Sequence, residues 1–110
     1  MNNILVCNKK ILKLLGEKVR DYLEGKNDFE VLDKFILEIE LQGAFEDKLT
    51  RQIAHALYHY DQDIFTHKNN LIYLSGMKNL MSKISDMMTQ YNRDGISVLL
   101  DKFYNLPIDK

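Results

Sequence analysis

The chain has 110 residues, of which 45% are apolar and 28% charged, with a single proline, five glycines and one cysteine. That is enough for one domain with a sizeable core and too little for two; it excludes a disordered chain and a disulfide scaffold. The net charge of −1 conceals a partition: residues 1–23 carry +3, residues 24–47 carry −6 and residues 48–110 carry +2. The acidic block speaks against nucleic acid as the main partner and for solvation or a basic protein.

Lone Cys7 points to a reducing compartment. The apolar run Ile4–Cys7 is too short for a signal sequence and no later stretch resembles a membrane span, so a cytoplasmic protein without a membrane partner is expected. That run reads equally well as a first helical turn or a short extended arm.

From Asn8, Ile11, Leu12, Leu15, Val19, Tyr22 and Leu23 recur at spacings of three and four, predicting an amphipathic helix that ends near Gly25, a natural left-handed cap. Asn27 and Glu30 have capping-box spacing, and Phe29, Leu32, Phe35, Ile36 and Ile39 form the stripe of a second helix over 28–41. Its opposite side carries Leu37 and Leu41 among Glu30, Asp33, Glu38 and Glu40, an apolar centre with an acidic rim suited to a basic partner. A helix buried on two sides gives the same pattern. Gly43 is read as a break, because glycine costs about 1 kcal/mol relative to alanine inside a helix.

A third helix over 44–60 places Phe45, Leu49, Ile53, Ala56 and Leu57 inward, with Tyr60 able to extend that stripe, and Lys48, Arg51, His55 and His59 as an outer ridge. Asp61-Gln62-Asp63 is expected to stop it, and residues 61–70 to form a polar connection pinned to the core by Ile64 and Phe65. Asn70 can cap a fourth helix whose stripe is Leu71, Leu74, Met77 or Lys78, Met81, Ile84, Met88 and Tyr91, widened by Ile72, Leu80 and Met87; the methionines are simplest as core filler. Asp94 can cap a short fifth helix with Ile96, Leu99, Leu100 and Phe103 inward, and Pro107 ends it. The sum is an all-α, single-domain bundle of four or five helices. The sequence sets no oligomeric state.

No complete catalytic or cofactor motif is present. His55 and His59 have the i, i+4 spacing that lets two imidazoles meet one metal ion, with Asp61, Asp63 and His67 close behind. A zinc-protease pattern needs glutamate where Ala56 stands, and a histidine–aspartate hydrolase needs further donors that the chain lacks. The plain reading puts His55 and His59 near a helix C-terminus, complementing its dipole, and makes Asp61 and Asp63 turn residues. No glycine-rich phosphate loop or nucleophile elbow occurs. Arg51, His55, Tyr58, His59 and Lys68 could form a nucleic-acid patch, which the isoelectric point near 6.3 disfavours. Tyr58, Tyr60 and Tyr73 read as amphipathic residues with hydroxyls reaching the surface.

The run GAFEDKLTRQIAHALYHYDQDI, Gly43 to Ile64, resembles segments of small helical immunity proteins, the antidotes of contact-dependent growth inhibition and related interbacterial toxin systems. His55-Ala56-Leu57, His59-Tyr60, Asp61 and Asp63-Ile64 carry the likeness. The resemblance implies a cytoplasmic, non-enzymatic protein that binds one cognate toxin domain, often a basic nuclease, and covers its active site or substrate surface. Two surfaces then compete for that partner: Glu30, Asp33, Leu37, Glu38 and Glu40 on the acidic helix, and Arg51, His55, Tyr58, His59, Asp61 and Asp63 after it. No cofactor is expected. A metal-binding enzyme or sensor built on His55, His59, Asp63 and His67, or a small regulatory or nucleic-acid-binding module, are the alternatives.

Overall fold

The first helix, α1, runs Asn2–Leu23, so the Ile4–Cys7 segment is its opening turn rather than an extended arm. The computed structural model describes the backbone of residues 2–107 and the side chains of residues 9–107; the Cys7 thiol lies outside that range. Leu12, Leu15 and Val19 are fully buried, as their spacing requires. Gly25 takes a left-handed φ of 78° and closes the helix, with its N–H on the Tyr22 carbonyl and the Lys26 N–H on that of Asp21. This is the Schellman pair of bonds, which satisfies two orphan carbonyls at once. A Cβ at Gly25 would meet nothing within 4 Å. Gly25→Ala is therefore expected to lose about 1–2 kcal/mol through backbone conformation alone, read as a lower urea midpoint with unchanged slope.

Helix α2, Phe29–Leu41, starts one residue later than the capping-box reading places it: Asp28, not Asn27, is the N-cap and accepts from the Val31 N–H at 3.3 Å. Leu32, Ile36 and Ile39 are buried. Gly43, at φ 88°, breaks the chain as expected, and a 3-10 turn, Ala44–Glu46, precedes α3, Lys48–Thr66. Asp61-Gln62-Asp63 does not stop α3, and the polar connection shrinks to residues 67–70. Ile64 and Phe65 do not dip inward; both are exposed.

Helix α4, Leu71–Thr89, is capped by the Asn70 side chain, which accepts from the Tyr73 N–H. Met77, Met81, Ile84 and Met88 are fully buried, but Leu71 and Ile72 stand in solvent instead of joining the stripe. Tyr91 lies beyond the helix, in the left-handed region at φ 53°, where it takes the place of a capping glycine: its N–H bonds the Met88 carbonyl and that of Asn92 the Met87 carbonyl. Asn92, rather than Asp94, caps α5, Arg93–Tyr104, by accepting from the Gly95 N–H.

The architecture is all-α, five helices and a short 3-10 turn with no strand among the described residues. Helix α1 lies lengthwise on α4 and also carries α2; α5 packs on α4 and α3. One continuous core unites them. A bidentate Arg93–Asp47 ion pair, 2.7 and 3.0 Å, ties the start of α5 to the N-cap of α3, and the guanidinium holds the Asp47 carboxyl below the usual range. No described helix is long and apolar enough to cross a membrane.

Candidate partner-binding site

Burying Leu32, Ile36 and Ile39 at 100° per residue leaves the opposite side of α2 outward. Leu37 and Leu41 occupy its centre, 48% and 89% exposed, so α2 is buried on one side only. Glu30, Glu38 and Glu40 are exposed around them. Lys34 is the one cation of the helix and sits 4.0 Å from Glu30, a solvated pair of little energetic weight.

Asp33 leads to the second surface. It accepts the hydroxyl of Tyr58 from α3, while the Phe29 ring meets the Tyr58 ring edge-on at 5.5 Å. Burial, the Asp33 hydrogen bond and the nearby charges of Asp33 and Glu40 push the Tyr58 phenol up to about 12. Tyr58 thus belongs to the acidic face of α2. Arg51, exposed on α3, donates to the Phe45 carbonyl at 3.0 Å across the 3-10 turn.

The rest of the second surface divides. Lys48, Arg51, His55 and His59 are all exposed, as the ridge requires, and both imidazoles also border α5: His55 stacks on Tyr104 at 6.2 Å, and His59 meets Phe103 and Tyr104. Asp61 and Asp63 are helical, not turn residues. Asp61 accepts the Tyr22 hydroxyl at 2.9 Å, and buried Asp63 accepts that of Tyr73 at 2.5 Å, with His59 Nε2 3.1 Å away. Tyr73 is itself buried, contrary to the surface role its sequence suggests, and Tyr60 is buried with the inward stripe of α3. His67 packs on the Tyr73 ring. Among the described residues no group of three or more His, Cys, Asp or Glu is placed to hold a metal ion.

Sequence spacing could not reveal the tyrosine–aspartate bonds, whose partners stand 10, 25 and 39 residues apart. Tyr22, Tyr58 and Tyr73 are all shifted upward, by burial first and by their aspartates second. An unfolded phenol titrates near 10, so these bonds contribute fully below about pH 10 and weaken as pH rises toward the folded values. Urea midpoints are accordingly expected to hold between pH 7 and 9.5 and to fall above about 10, less so in Tyr73→Phe. An identical alkaline decline in that variant would remove Tyr73 from the effect.

A cleft of about 540 Å³ between α3 and α5, bordered by Gln52, Ser97, Asp101 and Tyr104, also escaped the sequence reading. Asp47 and Arg93, two of its charged residues, already pair with each other. No family model, curated protein or solved structure matches this chain.

Proposed function

We propose that this protein is a stoichiometric inhibitor of the immunity type, which neutralises a cognate antibacterial toxin domain, a basic nuclease, in the cytoplasm. What supports the reading is the outward face of α2: two exposed leucines ringed by Glu30, Glu38 and Glu40 and extended by Tyr58, itself fastened to Asp33. Leucines surrounded by like charge fit a partner with an apolar pocket in a cationic surface. The leucines anchor while the carboxylates steer, and a nuclease surface that binds phosphates offers the matching charge. Inhibition on this reading is occlusion; it needs no chemistry from the inhibitor.

The test is co-expression with the C-terminal domain of the protein encoded by the adjacent upstream gene, followed by purification of a one-to-one complex and assay of nucleic-acid cleavage. Association is expected to slow as salt rises, because charges beyond roughly 10 Å are screened at 0.1 M. Reversing Glu38 and Glu40 to lysine should slow association by at least about tenfold at low salt, the two rates converging near 0.5 M. Leu41→Ala should leave the on-rate alone and speed dissociation. An association rate indifferent to ionic strength would rule out the acidic-face mechanism.

A further inference from the structure

Of the four most exposed large apolar side chains among the described residues, three gather at one turn: Phe65 at 81%, Ile72 at 77% and Leu71 at 74%. Phe65 lies in the last turn of α3 and the other two open α4, with only residues 67–70 between the helices. The turn is held from beneath. Tyr73 donates its hydroxyl to buried Asp63, meets the His67 ring at 5.4 Å, and gives its N–H to the Asn70 side chain. The apolar groups are thus presented outward by a fixed backbone.

The charge next to this knob is mainly cationic. Asp61, one turn before Phe65 on α3, is half-buried and accepts the Tyr22 hydroxyl, and Glu24 at the end of α1 borders Lys78 and pairs with Lys26. From Ile64 to Ser85 the sequence contains no aspartate or glutamate, and its cations are Lys68, at the turn itself, Lys78 and Lys83. All three lysines are exposed, and Asp63, the carboxylate just before the stretch, is buried and already bonded. The acidic face belongs to α2, which packs on α1, and α1 in turn packs on α4.

A second copy is a poor occupant. Three side chains of roughly 150–200 Å² each fall short of the approximately 800 Å² per partner of a stable interface. A small apolar tip with Lys68 exposed at its turn fits instead a soft apolar medium under an anionic surface, with no shape to match. We propose that the α3–α4 turn docks on an anionic lipid bilayer, Phe65, Leu71 and Ile72 entering the headgroup boundary while Lys68 pairs with lipid anions. Surface docking needs no membrane-spanning helix. The proposal stands apart from the inhibitor reading, which rests on α2.

The test is co-sedimentation with vesicles of phosphatidylcholine containing about one quarter phosphatidylglycerol, against phosphatidylcholine alone, at about 0.1 M salt. Binding is expected to the mixed vesicles and to be at least about fivefold weaker to the neutral ones. Phe65→Ser combined with Ile72→Ser should lower it by at least about thirtyfold, and Lys68→Glu by about tenfold or more. Val98→Ser, at an exposed valine on α5, should leave vesicle binding unchanged. No binding, equal binding to both vesicle types, or equal loss in Val98→Ser would each overturn the proposal. So would a concentration-dependent dimer abolished by Phe65→Ser, which would assign the turn to a second copy.

Discussion

Gly16→Val is expected to lower stability by about 3 kcal/mol in urea unfolding. Gly16 faces α4 at a close approach of the two helices. A Cβ there would stand 2.9 Å from Met88 Cβ and 3.0 Å from both the Ser85 carbonyl oxygen and Thr89 Cγ2. One of those neighbours is backbone and another a buried Cβ, so neither can swing aside. The approach is also fastened by a buried hydrogen bond, the Ser85 hydroxyl to the Gly16 carbonyl at 2.8 Å, which separation of the helices would break. Two opposing terms act on Gly16→Ala: about 1 kcal/mol gained from helix propensity against roughly 1–3 kcal/mol of overpacking. Alanine should therefore be neutral to destabilising and valine clearly destabilising, with Tm falling by at least about 12 °C for a chain of this size. If Gly16→Ala raises stability by the full propensity gain, α1 and α4 do not meet there.

Gly16 also marks where sequence reasoning runs out. Its neighbours Leu12, Leu15 and Val19 reveal by spacing alone that they face inward, and all three are fully buried. A glycine has no hydropathy to enter such a pattern, so its contact with a helix some 70 residues later leaves no local signal. The left-handed glycines are different: Gly25 and Gly43 stand at the ends of apolar periodicity, and both close helices at positive φ. Tyr91 does the same without being glycine, and its ring, lying between Lys9 and Arg93 at 5.6 and 6.0 Å, continued the apolar stripe on paper. A residue strained by roughly 1–2 kcal/mol of backbone conformation cannot be told by composition from an ordinary helical tyrosine.

The candidate site divides along the same line. The outward position of Leu37 and Leu41 follows from period 3.6 within a single helix, and the structure exposes both. The joining of that face to Tyr58 depends on one long-range hydroxyl–carboxylate bond, which no spacing encodes. Phe65, Leu71 and Ile72 went astray for a physical reason as well. Apolar residues beside a turn are most often buried, and only the absence of any carboxylate from Ile64 to Ser85 distinguished this turn in sequence.

Asp63 offers an outcome whose sign separates the two accounts of the α3–α4 corner. A carboxylate in the last turn of a helix opposes the dipole, and aspartate is a poorer helix former than alanine. Were Asp63 an exposed turn residue, as its sequence context suggests, Asp63→Ala would stabilise by roughly 0.5–1 kcal/mol. Its side chain is instead only 8% exposed and receives the Tyr73 hydroxyl at 2.5 Å, with His59 Nε2 at 3.1 Å on the same oxygen. Alanine leaves the buried Tyr73 hydroxyl without its acceptor, costing about 1–3 kcal/mol, and opens a void beneath the turn. A net destabilisation of about 2–3 kcal/mol is expected, after the helix terms are set against it. Tyr73→Phe should cost a similar amount, since it leaves the carboxylate buried with His59 as its remaining strong partner. The double variant should cost less than the sum of the singles by at least about 1 kcal/mol, because each change removes the same bond. Additive losses, or a stabilised Asp63→Ala, would mean that this bond does not hold the corner and that the apolar turn above it has no fixed base.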